Sequence, residues 1–488
     1  MGRRIVVSAT MILAAVAVCS VPPAAAQSQY HFTVIANNPG CPGGNQDPVS
    51  TGAPALNDTG QTAFGVSTCT SPADAQVIRA NIGEYTKIFG IQGQSTYSSQ
   101  GELRVSINND GTVAFYAYRG TGTAVLTGSG GALTTIADTT VNTQFTGVFK
   151  PSIHNNASSV AFVATPVGQT GDAIIRESGG TFTTIASPGS VITGLGTLVS
   201  TAQPIINSGG TVLFAASGDQ AGGLVYTSGG PATVVSTSAN SAFTGFNSLN
   251  TASFDTGSLG SVYSGNGGTP TLIASAGSGG IVTLGQNSSI NDAGTVVFLA
   301  NTSTGRGIFT GPNAVSDRVI GVGDSILGLG TVTSVDIGPE AINNSGQIAF
   351  VVGYNSGPGV FGVAIVRADP LCATDISATV AVSSQGQLKL NRKTGRYTQT
   401  VVLKNGDGAI SGPVSLVLDN LSSNATLFGG AGTTGCTTPS GSPYVDVNVG
   451  NDGLFSPRER TTVTLEFENP SGQAVTYTTR VLAGSGSR

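Results

Sequence analysis

The stretch Ser106-Ile107-Asn108-Asn109-Asp110-Gly111-Thr112-Val113-Ala114-Phe115-Tyr116-Ala117 decides the reading of this chain, because variants of it recur along most of its length. The shared core, Asn-x-x-Gly-x-x-Ala-Phe, appears as Asn57/Gly60/Phe64, Asn108/Gly111/Phe115, Asn207/Gly210/Phe214, Asn291/Gly294/Phe298 and Asn343/Gly346/Phe350. Two copies are worn: Asn155 and Phe162 keep their places around Ser158, and Asn250 to Phe254 reads as a shortened remnant. Successive asparagines then lie about 51, 47, 52, 43, 41 and 52 residues apart. That is the period of a propeller blade or comparable β-repeat rather than of a short helical repeat.

Each residue type has a local reason. Asn bonds its own backbone two residues on, and Gly accepts positive φ, so together they make a tight turn into a strand. In the strand that follows, Val113 and Phe115 share one face and the small Ala114 takes the other, where a neighbouring sheet can approach. A second strand type recurs seven times, from Ala75–Ala80 to Val360–Val366. A third also recurs seven times, but its first copy, Phe32–Ala36, precedes the first Asn-Gly turn, while the last repeat, Asn343–Val366, stops after its second strand. The two ends therefore complete one sheet. A linear solenoid would leave two raw ends to be capped, whereas a ring closed by strands from both termini removes them. The expectation is an all-β chain: a seven-bladed β-propeller over 27–369, with an open β-solenoid, or a ring of six or eight blades, as the alternatives.

Asp369-Pro370 marks a boundary. From Ile376 onward apolar residues alternate with polar ones, as in Val414/Leu416/Leu418, Val445/Val447/Val449, Val463/Leu465/Phe467 and Val475/Tyr477. This is the pattern of half-buried antiparallel strands. About eight strands in 370–488 have the rhythm of an immunoglobulin-like β-sandwich, with Asn405-Gly406-Asp407-Gly408 expected as a hairpin turn.

Residues 1–26 read as a signal peptide: Arg3 and Arg4, an apolar run from Ile5 to Val18, then Ala24-Ala25-Ala26. Export to the periplasm or the medium follows. Arg3-Arg4 weakly resembles a twin-arginine signal, and Val18 before Cys19 is a poor lipoprotein-signal residue. No later apolar run is long enough for a membrane helix. Charged residues are only 9% of the chain, against 71 glycines and 39% hydrophobics, and the net charge is -5. That composition suits a turn-rich β-protein and argues against nucleic acid as a partner. Four cysteines follow the leader: Cys41, Cys69, Cys372 and Cys436. In an exported chain they suggest disulfides. Three pairings are possible, and proximity and the domain boundary favour Cys41–Cys69 and Cys372–Cys436. A metal site is the rival, without a Cys-x-x-Cys or paired-histidine motif to complete it.

The repeats resemble those of the bacterial exported "choice-of-anchor tandem-repeat NxxGxxAF" proteins, over most of Ala55 to Phe350. The tail, with Leu390 to Thr400 and Thr478 to Gly484, resembles an Ig-like module appended to varied secreted bacterial proteins. The resemblance implies an exported repeat protein and carries no established activity. Ser158 and the Asn250 copy depart from its pattern.

Chemistry is sparse. His31 and His154 are the only histidines, and there is no His-Glu-x-x-His, Gly-x-Ser-x-Gly or Walker loop. Carboxylates remain, among them Asp58, Asp110, Asp292, Asp336 and Glu340, and a glycosidase or lyase needs little more than two placed acids. Asp58, Asp110 and Asp292 sit in Asn-x-x-Gly turns, where oxygen-rich loops can hold calcium, although Asp is also simply a good turn former. Tyr116, Tyr118 and Tyr354 could line a sugar-binding rim or serve as strand residues. The expectation is a non-enzymatic exported module for recognition, adhesion or structure, with no cofactor. A carbohydrate-active enzyme and a calcium-stabilised adhesin or matrix protein are the alternatives.

Overall fold

The computed structural model describes residues 29–38, 52–67, 75–90, 104–141, 144–154, 159–237, 239–256, 260–449, 454–484, 486 and 488. The leader, Cys41, Cys69, Asn155 and Ser158 lie outside these residues, and with them the reading of 1–26 and of a Cys41–Cys69 bond. The described residues are all-β and propeller-like: those between 30 and 370 form seven antiparallel sheets of four or five strands.

In the first six sheets the strands follow one another in chain order, as in Ala55–Leu56, Thr62–Ser67, Ala75–Asn81 and Glu84–Gly90. The seventh draws on both ends of the repeat region. Tyr30–Asn38 runs antiparallel to Val360–Pro370, with Tyr30 opposite Pro370 and Val34 opposite Val366, and Ile348–Gly357 lies on the other side of Val360–Pro370. Two sheets gain a fifth strand that the repeat pattern did not suggest, Val191–Ile192 and Ser325–Ile326. Both arise from a similar segment, Ile192-Thr193-Gly194-Leu195-Gly196-Thr197 and Ile326-Leu327-Gly328-Leu329-Gly330-Thr331.

The apolar residues form one core between each pair of neighbouring sheets. Phe115 packs with Val77 and Phe89 of the sheet before it, while Ala114 on its other face meets Val148 and Phe162 of the sheet after. The same alternation continues through Phe214, Phe254, Phe298 and Phe350. It returns to the start where Phe64 and Ile78 pack against Ile365. The phenylalanine of each of these copies thus fills the joint with the preceding sheet, while the residue before it faces the next joint, as the small Ala63, Ala114 and Ala161 or as the larger Leu213 and Val297.

Residues 374–483 build a two-stranded ribbon, Ile410–Ser411 with Leu454–Phe455, and two facing sheets. One contains Thr374–Asp375, Thr478–Ala483, Val414–Asp419, Pro443–Val447 and Gly432–Thr433; the other contains Val380–Asn391, Arg396–Asn405, Arg460–Glu468 and Thr426–Phe428. Their shared core joins Leu416, Leu418 and Val481 to Leu403, Leu465 and Phe467. A disulfide links Cys372, in the segment leading into this unit, to Cys436.

Two expectations fail here. Val475 and Tyr477 precede the last strand rather than forming it. Asn405 to Gly408 is not a hairpin turn either, because the strands on its two sides pair with different partners. Asn405 Nδ2 donates instead to the carbonyls of Gly408, Phe455 and Ser456 at 2.6–3.0 Å, so the segment is a pinned crossing between sheets.

Candidate functional site

In most of these sheets the inner strand leads into an Asn-Gly turn, and these turns meet around a common centre. Each asparagine first closes its own turn: Asn57 Oδ1 accepts from Gln61 N at 2.8 Å, and Asn108 Oδ1 from Thr112 N at 2.8 Å. Its amide then crosses to the next repeat. Asn57 Nδ2 donates to Asn108 O at 2.9 Å, Asn207 to Asn247 O at 3.0 Å, Asn247 to Asn291 O at 3.0 Å, and Asn291 to Asn343 O at 3.1 Å. Asn343 Nδ2 then donates to Asn57 O at 3.0 Å, joining the last copy to the first. Gly60, Gly111, Gly210, Gly294 and Gly346 all have φ between 72° and 82°, the left-handed region that the turn requires.

Two assignments from sequence are corrected by these bonds. The fifth copy is full length: Asn247, not Asn250, holds the asparagine position, and Asn250 takes the glycine position with φ 60°. Asn tolerates that region better than other side chains, so Asn247-x-x-Asn250 replaces Asn-x-x-Gly. In the third copy His154, not Asn155, stands in register with Asn108. Ile153 pairs Val160 as Ile107 pairs Val113, and His154 N donates to Ser159 O across a turn one residue longer.

A second tier uses the next residue of several turns. Asp58 N donates to Asn109 Oδ1 at 2.8 Å, Ser248 N to Asp292 Oδ1 at 2.7 Å, Asp292 N to Asn344 Oδ1 at 2.9 Å, and Asn344 N to Asp58 Oδ1 at 2.9 Å. Asn344 Nδ2 also reaches Asp292 Oδ2 at 3.0 Å and Asp58 Oδ2 at 3.4 Å. Asp58 and Asp292 therefore converge, on a mouth of about 90 Å³ that His154 also lines. Burial lowers the His154 pKa to about 4, against the pull of Asp58 and Asp292. Among the described residues there is no group of three or more His, Cys, Asp and Glu that could hold a metal.

A third tier lies deeper. Ser106, Ser152 and Ser289 occupy the same position two residues before the turn, and all are buried. Their hydroxyls accept the backbone N–H of the following repeat, from Ile153 at 3.0 Å, Ile206 at 3.2 Å and Ala341 at 3.0 Å. Ser106 and Ser152 also donate to Glu340, at 2.9 and 3.3 Å. Glu340 lines both the turn-side mouth and a second, wider cavity. Burial raises its pKa, opposed by Arg104 and by bonds from Ser106, Ser152 and Ile107 N.

The wider cavity, about 600 Å³, is lined by residues 52–55, 104–105, 284–287 and 336–340 with Asn301 and Arg306, and its polar groups include Arg104, Gln286, Asn287, Arg306, Asp336 and Glu340. Asp336 Oδ1 accepts from Asn287 Nδ2 at 2.9 Å and lies 3.4 Å from Arg306 Nη2. The carboxylates read from sequence thus divide. Asp58, Asp292 and Glu340 line one mouth, and Glu340 also lines the wider cavity with Asp336, while Asp110 is exposed and lines neither. Tyr354 is buried, its hydroxyl donating to Asn37 Oδ1 at 2.6 Å; Tyr116 packs edge-on against Phe149 and Tyr118. His31 is exposed on the first strand.

Sequence reading missed the arginines that tie the strand inside the outer edge of three sheets to the next repeat. Arg79 Nη1 donates to Gly111 O at 2.5 Å, Arg176 to Gly210 O at 2.7 Å and Arg367 to Gly60 O at 2.6 Å, each reaching the turn of the next repeat. The signal was present as Ile78-Arg79, Ile175-Arg176 and Val366-Arg367, a cation following an apolar pair at the end of the second strand.

A family model, "Family of unknown function (DUF7453)", matches residues 25–388. The chain belongs to this family. No curated protein matches this DUF7453 member. Among solved structures it is similar to a puromycin-hydrolyzing peptidase of Mycobacterium tuberculosis, at 12% identity and a TM-score of 0.40 over 73% of this chain and 58% of that one. It is also similar to YCF48 from Cyanidioschyzon merolae, at 12% and 0.35 over 66% and 97%. The β-propeller domain of the Trilobed protease from Pyrococcus furiosus matches at 11% and 0.30 over 54% and 96%. The chain spans little more than half the length of the peptidase. With TM-scores of 0.40 or lower, none of these likenesses assigns an activity. No helix among the described residues is long and apolar enough to cross a membrane.

Proposed function

We propose that this DUF7453 member is an exported, non-enzymatic recognition module, a seven-bladed β-propeller followed by an immunoglobulin-like sandwich, of the tandem NxxGxxAF kind, acting at the cell surface or outside the cell. What carries the reading is the occupation of the converging acids. Asp58 and Asp292 commit their oxygens to Asn344 and to backbone N–H groups of neighbouring turns, and Glu340 is held by Ser106 and Ser152. An acid–base pair needs carboxyls free to meet a substrate; these act as mortar between repeats. A rigid ring with a cavity within the roughly 300–1,000 Å³ range of small-molecule sites is suited to holding a ligand. The test is incubation of the mature chain with glycan and peptide panels, reading both binding and product release. Binding without turnover is expected. Turnover lost in Asp58→Asn or Asp292→Asn, with the fold retained, would replace this reading by the carbohydrate-active one.

A further inference from the structure

The wider cavity has a composition that narrows its ligand. Its ionisable groups are two cations, Arg104 and Arg306, and two acids, Asp336 and Glu340, so their formal charges cancel. Among the described residues, hydrogen-bonding capacity is left over on both sides. Asp336 directs Oδ1 to Asn287, Arg306 and Ile337 N, and its Oδ2 has no partner among them. Asn287 uses Nδ2 and keeps Oδ1, as does Asn301, whose Nδ2 donates to Thr283. Gln286 is exposed, and its amide is engaged with no other described side chain. The intervening walls are small or apolar, from Ala53, Pro54, Leu284 and Pro339. The backbone of the inner strand is irregular here too: its register with the next strand breaks between Leu284 and Ser288.

A neutral surface that offers donors and acceptors in close alternation suits a ligand whose own groups both donate and accept. Hydroxyls do this; a carboxylate or phosphate only accepts, and would leave Asp336 and Glu340 opposed to it. We infer that this cavity is a binding site for an uncharged, polyhydroxylated ligand, a short neutral saccharide, gripped by Gln286, Asn287, Asn301, Arg306 and Asp336. This deepens the recognition reading and rests on it. The Arg306–Asp336 pair sets a donor beside an acceptor at one edge, and the amides supply the rest.

The experiment is calorimetric titration of the full mature chain with maltotriose, cellotriose and chitotriose, and with trigalacturonate and triglycine as charged and peptide comparisons. Saturable binding of at least one neutral trisaccharide is expected, weakened at least about tenfold in Asp336→Ala and in Gln286→Ala and unchanged in Lys393→Ala on the sandwich. Gln286→Ala removes a side chain that holds no other described side chain, so its loss of binding with an unchanged melting temperature separates recognition from folding. Failure of all three neutral sugars to bind, tighter binding of trigalacturonate or triglycine, or indifference to both variants would overturn the assignment. A sugar that is bound and then cleaved would uphold the cavity and refute the non-enzymatic reading. Binding of whole cells without any of these sugars would do the reverse.

Discussion

At the scale of single residues, the hub is a set of short polar side chains that each satisfy a backbone group of another repeat. Asn343 is the clearest case. It is buried, closes its own turn through Oδ1 and donates to Asn57 O and Gln347 Oε1. Asn343→Ala leaves buried groups unpaired and is expected to cost about 2–3 kcal/mol, read by urea unfolding. Glu340 works differently, because burial raises its pKa. The folded state then favours the protonated acid, so its contribution is complete below the ordinary carboxyl pKa and is lost as pH rises through the raised value. Glu340→Gln, which keeps an acceptor for Ser106, should flatten the decline of stability as pH rises above the ordinary carboxyl pKa; a variant with the wild-type slope there would exclude Glu340 as its source. His154 has the opposite slope. With a pKa of about 4 in the fold against 6.5 unperturbed, its contribution is present above about 6.5 and falls away as pH drops toward 4. His154→Gln should remove that loss, measured as the difference in unfolding midpoint between about pH 7 and about pH 4.5.

At the scale of the element, the repeat sets its phenylalanine toward the preceding sheet and the residue before it, alanine in most copies but Leu213 and Val297 in two, toward the next. Phe298 is buried against Val262 and Ala274 of the preceding sheet, and Phe298→Ala should destabilise by about 3–5 kcal/mol, seen as a lower melting temperature. The Cys372–Cys436 bond spans 64 residues. Its removal by Cys372→Ser with Cys436→Ser should cost about 4 kcal/mol, with the sandwich melting ahead of the repeat region in calorimetry. Much of this level was legible in the sequence: the Asn-Gly turn, the Phe-Ala alternation and the leading strand without partners nearby in the chain each have a local chemical cause. The errors came where geometry substitutes one residue for another. Asn250 can take a glycine's φ, so a complete copy looked shortened, and a turn lengthened by one residue moved His154 into an asparagine's place. The hub bonds of Asp58, Asp292 and Glu340 were hidden for another reason. Their partners lie tens to hundreds of residues away, and an acidic side chain in a turn has the same local spelling whether it faces water or a neighbouring repeat.

At the scale of the whole molecule, the ends of the repeat region are joined at every level of the structure. Tyr30–Asn38 zips onto Val360–Pro370, Ile365 packs with Phe64 and Ile78, and Asn343, Asn344 and Arg367 bond Asn57, Asp58 and Gly60. Leu56 N completes the set by donating to Glu340 O at 2.8 Å. Closure removes the two raw sheet edges that an open row would expose, and it gives the centre of the ring its two mouths. The proposed site depends on it, since the wider cavity is lined at once by residues 52–55 from the beginning of the repeats and 336–340 from their end. The most direct test is to introduce Val34→Cys with Val366→Cys, residues that face each other across the closing strands, and to map disulfides by mass spectrometry under mild oxidation. The account predicts that the two introduced thiols bond to each other within one chain and that the melting temperature rises. Persistently free thiols at both positions in a folded protein, or a bond formed only between chains, would contradict it.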